Sequence, residues 1–238
     1  MVKSVRDQTG RFPERPHYEP AELDSMFEHL VVEFLKKHRG KVEYPIKTDE
    51  LTVLIERDAE DLDTYADLDS YGRDVEGVTE FRPGRKPKVK IAARLAGSDP
   101  RENRLRTTLT HEYGHVHLHG YLFEVAQAPS LFSGPVKSTP IICKRDTIVT
   151  AKKTDWMEWQ AGYACGALLM PASAVKAMIG TYQKEAGIYG PIAAASQQGQ
   201  AMIERMVETF QVSRDAARVR LSVLKYFGIS PADRSLFD

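Results

Sequence analysis

The sequence predicts an α+β protein, mostly helical, with a small antiparallel sheet packed on a central helix. Three patterns carry this reading. Apolar residues recur at helical spacing near the N-terminus, where Leu23, Met26, Phe27, Leu30, Val31, Phe34 and Leu35 follow the i, i+3, i+4 rule. One segment alternates instead: Val89, Ile91 and Ala93 stand between Lys88, Lys90, Ala92 and Arg94, with Val78 to Phe81 as its strand partner. From Asp155 onward the apolar spacing is helical again. The chain has 238 residues, 42% of them hydrophobic, enough for one sizeable core and too many for a disordered chain.

Taken in order, the first twenty residues hold Gly10, Pro13, Pro16 and Pro20 without periodicity and read as an extended arm. A helix is expected from Pro20 or Ala21, since proline suits a first turn, to Gly40, which closes it. A second helix fits Thr48 to Arg57 with Thr48 as its cap. The acidic stretch after it reads as loop or broken strand. A helix from about Arg101 to His119, ended by Gly120, follows the strands. Pro140 to Lys144 and Thr147 to Ala151 suit a hairpin around Arg145 and Asp146. The remaining helices are expected at Asp155 to Met170, Pro171 to Ile179, Ser196 to Phe210 and Ser213 to Phe227. Residues 21–180 would form the main domain, with an insertion around 124–155. The last two helices, within 181–238, have the length of a helix-turn-helix unit on the same core.

Charge and cysteine content narrow the function. The 33 basic and 33 acidic side chains cancel, so no net field announces a nucleic-acid partner. Their distribution is uneven: residues 49–80 carry twelve acidic and two basic residues, whereas 82–106 carry nine basic and two acidic. Two neighbouring faces that neutralise each other explain this better than a phosphate-binding strip. Cys143 and Cys165, the 2 cysteines, can make neither a disulfide framework nor a C-x-x-C metal site. Nothing near the N-terminus resembles a signal peptide, and the apolar run from Trp159 to Val175 is short for a membrane span. A cytoplasmic, soluble protein is expected, with no membrane partner.

One motif carries chemistry: His111-Glu112-Tyr113-Gly114-His115. Four residues along a helix turn through roughly 400°, which puts both imidazoles on one face about 6 Å apart. Both can then reach one metal ion at about 2.1 Å. Glu112 lies about 100° round the helix from His111, too awkward for a ligand but placed to hold a metal-bound water and take its proton. Zinc lowers the pKa of such a water and polarises a carbonyl, and the two effects together suit hydrolysis. Gly114 is costly inside a helix, by about 1 kcal/mol, which close approach of a second element or of a substrate would explain. His117 and His119 crowd the segment. A straight helix carries His119 about 12 Å from His111, so one ion cannot take both, and both read as core-edge or supporting groups. A third ligand is needed. Glu158, a carboxylate at the start of an otherwise charge-free helix, is the first choice, with Glu124 and Asp155 behind it. Tyr163 and His119 are candidates to stabilise an oxyanion. Cys165, seven residues after Glu158, is placed near the site but not to bind.

These residues resemble the ImmA/IrrE family of metallo-endopeptidases. The likeness rests on Thr110-His111-Glu112-Tyr113-Gly114-His115, preceded by Arg104 to Leu109, and on Glu158-x-x-Ala161 leading into Leu168-Leu169-Met170-Pro171. It extends from about Leu23 to Phe227, with Phe210 to Leu221 similar to the family's closing helical unit. The resemblance implies a zincin-like fold, zinc (Zn2+) held by His111, His115 and Glu158, and Glu112 as general base. It also implies a protein substrate, a partner helix-turn-helix (Xre-type) repressor whose cleavage releases transcription. Gln160, Gly162 and Ala164 depart from the family's glutamate helix. Two other readings stay open. A zinc-containing module could bind a transcription factor or DNA without proteolysis, and a zinc hydrolase could act on small amides or sugars. Direct DNA binding is not expected, because Asp215-Ala216-Ala217 offers little to read base edges.

Overall fold

The computed structural model describes residues 2–82, 84–97, 101–126, 139–144 and 155–228. Seven α-helices and six strands lie among them. The N-terminal arm is not simply extended. Strands β1 (Lys3–Arg6) and β2 (Glu14–His17) pair antiparallel, with Lys3 opposite His17. The connection between them folds onto Asp7, whose carboxylate accepts from the Thr9 and Phe12 amides at 2.9 and 3.0 Å. A short polar side chain that bonds its own backbone two residues on makes a turn, a signal the proline-rich reading overlooked.

Helix α1 (Pro20–Arg39) starts and stops where expected, with Gly40 in the left-handed region at φ 75°. Its Leu23, Phe27, Val31 and Leu35 are fully buried. Helix α2 (Thr48–Asp58) starts at Thr48, but its cap is Lys47 rather than Thr48. The Glu50 carboxylate accepts the Lys47 amide at 2.7 Å, so a glutamate side chain reaching back to the cap residue secures the helix start.

The main sheet has four strands in the order β3 (Asp61–Ala66), β5 (Arg85–Ala92), β4 (Val75–Arg82), β6 (Thr139–Lys144). It is mixed rather than antiparallel, because β3 runs parallel to β5. The acidic stretch read as loop or broken strand begins with this edge strand and continues as loop, with one 3-10 turn at Asp69–Tyr71, up to β4. Asp61 stands opposite Lys88 and Asp63 opposite Lys90, so the opposed charges that hid a strand pattern favour the pairing. Elsewhere the two charged stretches also meet: Lys90 binds Glu80 at 2.7 Å, Arg82 binds Glu60, and Arg104 binds the buried Glu76. The expected partners Val78 to Phe81 do pair with β5, Thr79 opposite Val89. Residues Pro140 to Lys144 lie in β6 and pair with β4; Thr147 to Ala151 lie outside the described residues.

Helix α3 (Glu102–Ala126) passes through Gly120 instead of ending there. The extra turn carries Phe123, which stacks on Phe81 at 4.1 Å and meets Phe12 edge-on at 5.2 Å. This second apolar cluster offsets the about 1 kcal/mol a mid-helix glycine costs. At its other end the buried Arg106 donates to the carbonyls of Ile46 at 2.7 Å, Phe210 at 3.1 Å and Gln211, tying the segment before α2 and the Phe210–Gln211 pair to the start of α3.

Helix α4 (Trp156–Leu169) is apolar on nearly every face and correspondingly buried. Helices α5 (Ala172–Glu185), α6 (Gln197–Phe210) and α7 (Arg214–Val223) follow. α5 runs past Ile179, and α7 stops short of Phe227, which instead bridges to Ile192. Ser213 caps α7 as expected, accepting the Ala216 amide at 3.1 Å. The α6–α7 pair packs into the main core through Met206, Phe210, Ala217 and Leu221. Arg220, on what would be a recognition helix, is buried and bound to the Met170 carbonyl at 3.0 Å and Asp24 at 2.6 Å. Among the described residues no single helix is long and apolar enough to cross a membrane.

Candidate metal centre

Helix α3 is gripped between β4 and α4. Gly114 makes this possible: a Cβ there would lie 3.0 Å from the Ala161 Cα and 3.1 Å from the Ala164 Cβ. The two helix backbones approach as closely as a missing side chain allows, as the mid-helix glycine suggested. The approach brings Glu158, in the first turn of α4, to the histidine face of α3.

His111, His115 and Glu158 form a buried group able to hold a metal ion. His111 Nε2 and His115 Nε2 are 3.1 Å apart. Each lies 3.2 Å from a different oxygen of Glu158, Oε2 for His111 and Oε1 for His115. The three sequence-predicted ligands therefore converge. Asp155 does not join them; its carboxylate caps α4 by accepting the Glu158 amide at 3.5 Å. The Glu124 side chain lies outside the described residues.

The electrostatics suit a cation. Burial opposes ionisation of Glu158, but His115 and His111 outweigh it and hold the carboxyl far below its usual range. Burial likewise disfavours a charged His115, yet the facing Glu158 raises its pKa. An anionic carboxylate set against two imidazoles is the donor chemistry that borderline metals select.

Glu112 points to the other side, toward β4. The Thr79 hydroxyl donates to its Oε2 at 2.6 Å, while Oε1 is buried with no partner among the described residues. Gly77 makes room for it, since a Cβ there would lie 2.3 Å from Oε1. Burial pushes the Glu112 carboxyl above its ordinary pKa, against the pull of His115, His111 and the Thr79 hydroxyl. The sequence reading missed Thr79 and Gly77. A glycine inside an alternating strand is a signal of close approach that could have found the second.

The neighbouring histidines are supporting groups. His119 Nδ1 lies 3.1 Å from His115 Nδ1, and its Nε2 lies 3.0 Å from Gln160 Oε1. Burial and the adjacent His115 push its pKa well below the ordinary value. Both its nitrogens are thus engaged by neighbouring side chains. Tyr163 is also committed elsewhere, donating to Asp24 at 2.9 Å. His117 packs edge-on against Phe27 at 5.5 Å, at the core edge as expected. Tyr113, within the motif, donates to Asp58 on α2 at 2.5 Å and anchors the opposite face of α3.

The N-terminal hairpin also reaches this region. Trp156 donates to Asp7 at 3.1 Å, Phe12 packs edge-on against Trp156 at 6.3 Å, and Gln160 donates to the Pro16 carbonyl at 3.1 Å. No sequence signal marked these contacts. Compared with known protein families and with curated proteins, the chain matches none.

Proposed function

We propose that the protein is a zinc-dependent endopeptidase. The observation that carries this reading is the spacing of the three ligand atoms. Four ligands at about 2.0–2.1 Å around a tetrahedral zinc stand roughly 3.3 Å from one another. The separations of 3.1 and 3.2 Å among His111, His115 and Glu158 fit three corners of that figure. Zinc bound there supplies a Lewis acid and a water of lowered pKa.

The chain's own residues do the rest. Glu158 and the two imidazoles bind, and their burial excludes bulk water. Glu112 is the proton acceptor: Thr79 occupies Oε2, so the proton is taken at Oε1. A buried carboxylate oxygen left unpaired costs about 1–3 kcal/mol, a cost without use in a purely structural metal site. The resemblance to the ImmA/IrrE peptidases supports a protein substrate, a helix-turn-helix repressor partner in the cytoplasm.

One observation favours the second reading, a zinc-containing binding module without proteolysis: His111, Glu112 and His115 are 0% exposed. If that module bound DNA through α7, Arg220 would be free, whereas it is buried against Met170 and Asp24. A cleavage assay against the candidate repressor separates the readings. Glu112→Gln is expected to retain zinc and lose cleavage by about 100-fold or more, the scale of a general base. Equal cleavage by variant and wild type would overturn the peptidase mechanism, and no cleavage by the wild type would leave the binding module as the better account.

A further inference from the structure

A chain of hydrogen bonds runs from the N-terminal hairpin to one metal ligand. Gln160 Nε2 is 3.1 Å from the Pro16 carbonyl, and Gln160 Oε1 is 3.0 Å from His119 Nε2. His119 Nδ1 is 3.1 Å from His115 Nδ1. Gln160, His119 and His115 are buried, so water does not compete for these bonds.

With both imidazoles neutral, only one assignment of protons satisfies every pair. The Pro16 carbonyl can only accept, so the Gln160 amide nitrogen must face it and its oxygen must face His119. That oxygen can only accept, so His119 carries its proton on Nε2. A neutral imidazole has one N–H, which leaves His119 Nδ1 bare. The gap between the two Nδ1 atoms is then filled by the proton of His115. With its proton on Nδ1, a neutral His115 presents a lone pair at Nε2, the atom that faces Glu158 and His111.

We propose that Gln160 and His119 are positioning residues for the metal ligand His115: the Pro16 carbonyl orients Gln160, Gln160 fixes the tautomer of His119, and His119 fixes that of His115. The inference rests on the metal-centre reading but not on proteolysis. It gives the hairpin a part in the site that neither the motif nor the family resemblance assigns. His111 has no such support, since its Nδ1 has no partner among the described residues.

The test is zinc affinity of the full chain, measured by competition with a chromophoric chelator. Gln160→Met removes the acceptor at nearly constant shape, and affinity should fall about 10- to 100-fold, as for other groups that orient a metal-bound imidazole. Gln160→Glu keeps an acceptor for His119 Nε2–H but sets a second acceptor against the Pro16 carbonyl, and should recover part of the affinity that Gln160→Met loses. Equal affinity in all three proteins, or equal loss in both variants, would overturn the relay. Failure of the wild type to bind zinc at all would instead remove the metal centre on which it rests. Nitrogen-15 NMR of the zinc-loaded wild type needs no variant to fold: His119 should be the Nε2–H tautomer and His115 should carry its proton on Nδ1. The reverse tautomer at His119 would sink the proposal.

Discussion

The two flanks of α3 hold their buried carboxylate and histidine groups by opposite means. Toward β4, contact is made by removal. Gly77 has no side chain where a Cβ would lie 2.3 Å from Glu112 Oε1, and a single hydroxyl, Thr79, restrains the other oxygen. Toward α4, contact is made by accumulation. Gly114 admits the Ala161 backbone, Glu158 meets both histidine nitrogens, and His119 and Gln160 carry hydrogen bonds on to the Pro16 carbonyl. Each flank leaves one buried atom without a partner among the described residues, Glu112 Oε1 toward β4 and His111 Nδ1 toward α4, but the helix flank links its other polar atoms in a continuous chain. Unpaired buried groups cost stability but stay available to a reactant. On this view the flank that does proton chemistry is kept loose, and the flank that binds the ion is kept rigid.

If that division is right, the two glycines should fail differently. Gly77→Ala has the largest expected effect on activity. The new methyl must displace Glu112, and cleavage should fall about 100-fold or more, as when a general base is lost. Zinc content should stay at the wild-type level, because the atoms nearest the new methyl belong to Glu112 and not to a proposed ligand. Parallel assays of cleavage and metal content check this, and loss of both together would erase the distinction between the flanks.

Gly114→Ala acts on the other side. Alanine is the better helix former by about 1 kcal/mol, so an unpacked glycine would be improved by the change. Here the Cβ would meet Ala161 and Ala164 at 3.0 and 3.1 Å, partly against backbone that cannot swing aside. Overpacking of this kind costs about 1–3 kcal/mol. Thermal unfolding should show a net loss of stability and, with α4 pushed outward, weaker zinc binding. A stabilised variant would mean that the helices are not pressed together at Gly114.

Thr79→Val gives a smaller and more specific effect. The variant keeps the shape and removes the hydroxyl that favours the ionised form of Glu112. The folded-state pKa of Glu112 should then rise further. A base acts only when ionised, so activity is lost as pH falls through that pKa, and the acidic limb of the pH–rate profile should move to higher pH. A loss of cleavage of about 10-fold near neutrality is expected. A limb that stays in place would assign the acidic limb to another group.

What could be read beforehand divides along the same line. The helix flank was largely legible. The i, i+4 histidines, the isolated Glu158 and the costly Gly114 each violate a local expectation, and such violations mark sites. The sheet flank was not, because Thr79 is an ordinary strand residue whose role depends on which element lies over it. The edge strand Asp61–Ala66 was hidden for a related reason. Its acidic residues carry no apolar alternation, and only the lysines of a distant strand make the pairing favourable. The hairpin at the N-terminus was equally silent, since its contacts with Trp156 and Gln160 span more than a hundred residues of sequence and have no periodicity to betray them.

The smallest effect expected concerns Cys165, on the α4 face that meets α3. Its thiol lies 3.0 Å from the Thr110 hydroxyl, away from the ion-binding atoms, and burial pushes its pKa up to about 11. A thiolate is the reactive form, so at pH 8 the folded protein should leave this cysteine unlabelled by a maleimide, in a Cys143→Ala background that keeps a single thiol. The sign for stability follows. Because the folded-state pKa is raised, the contribution of the neutral thiol is complete below the unfolded value near 9 and is lost as pH rises toward 11. Labelling should therefore accelerate on alkaline titration well before it would for a free thiol held at the same low thiolate fraction by pKa alone, since opening of the α3–α4 contact exposes the sulfur as well. Rapid labelling at pH 8 would show that the helix flank opens readily, and the contrast between a rigid and a loose side of α3 would not survive it.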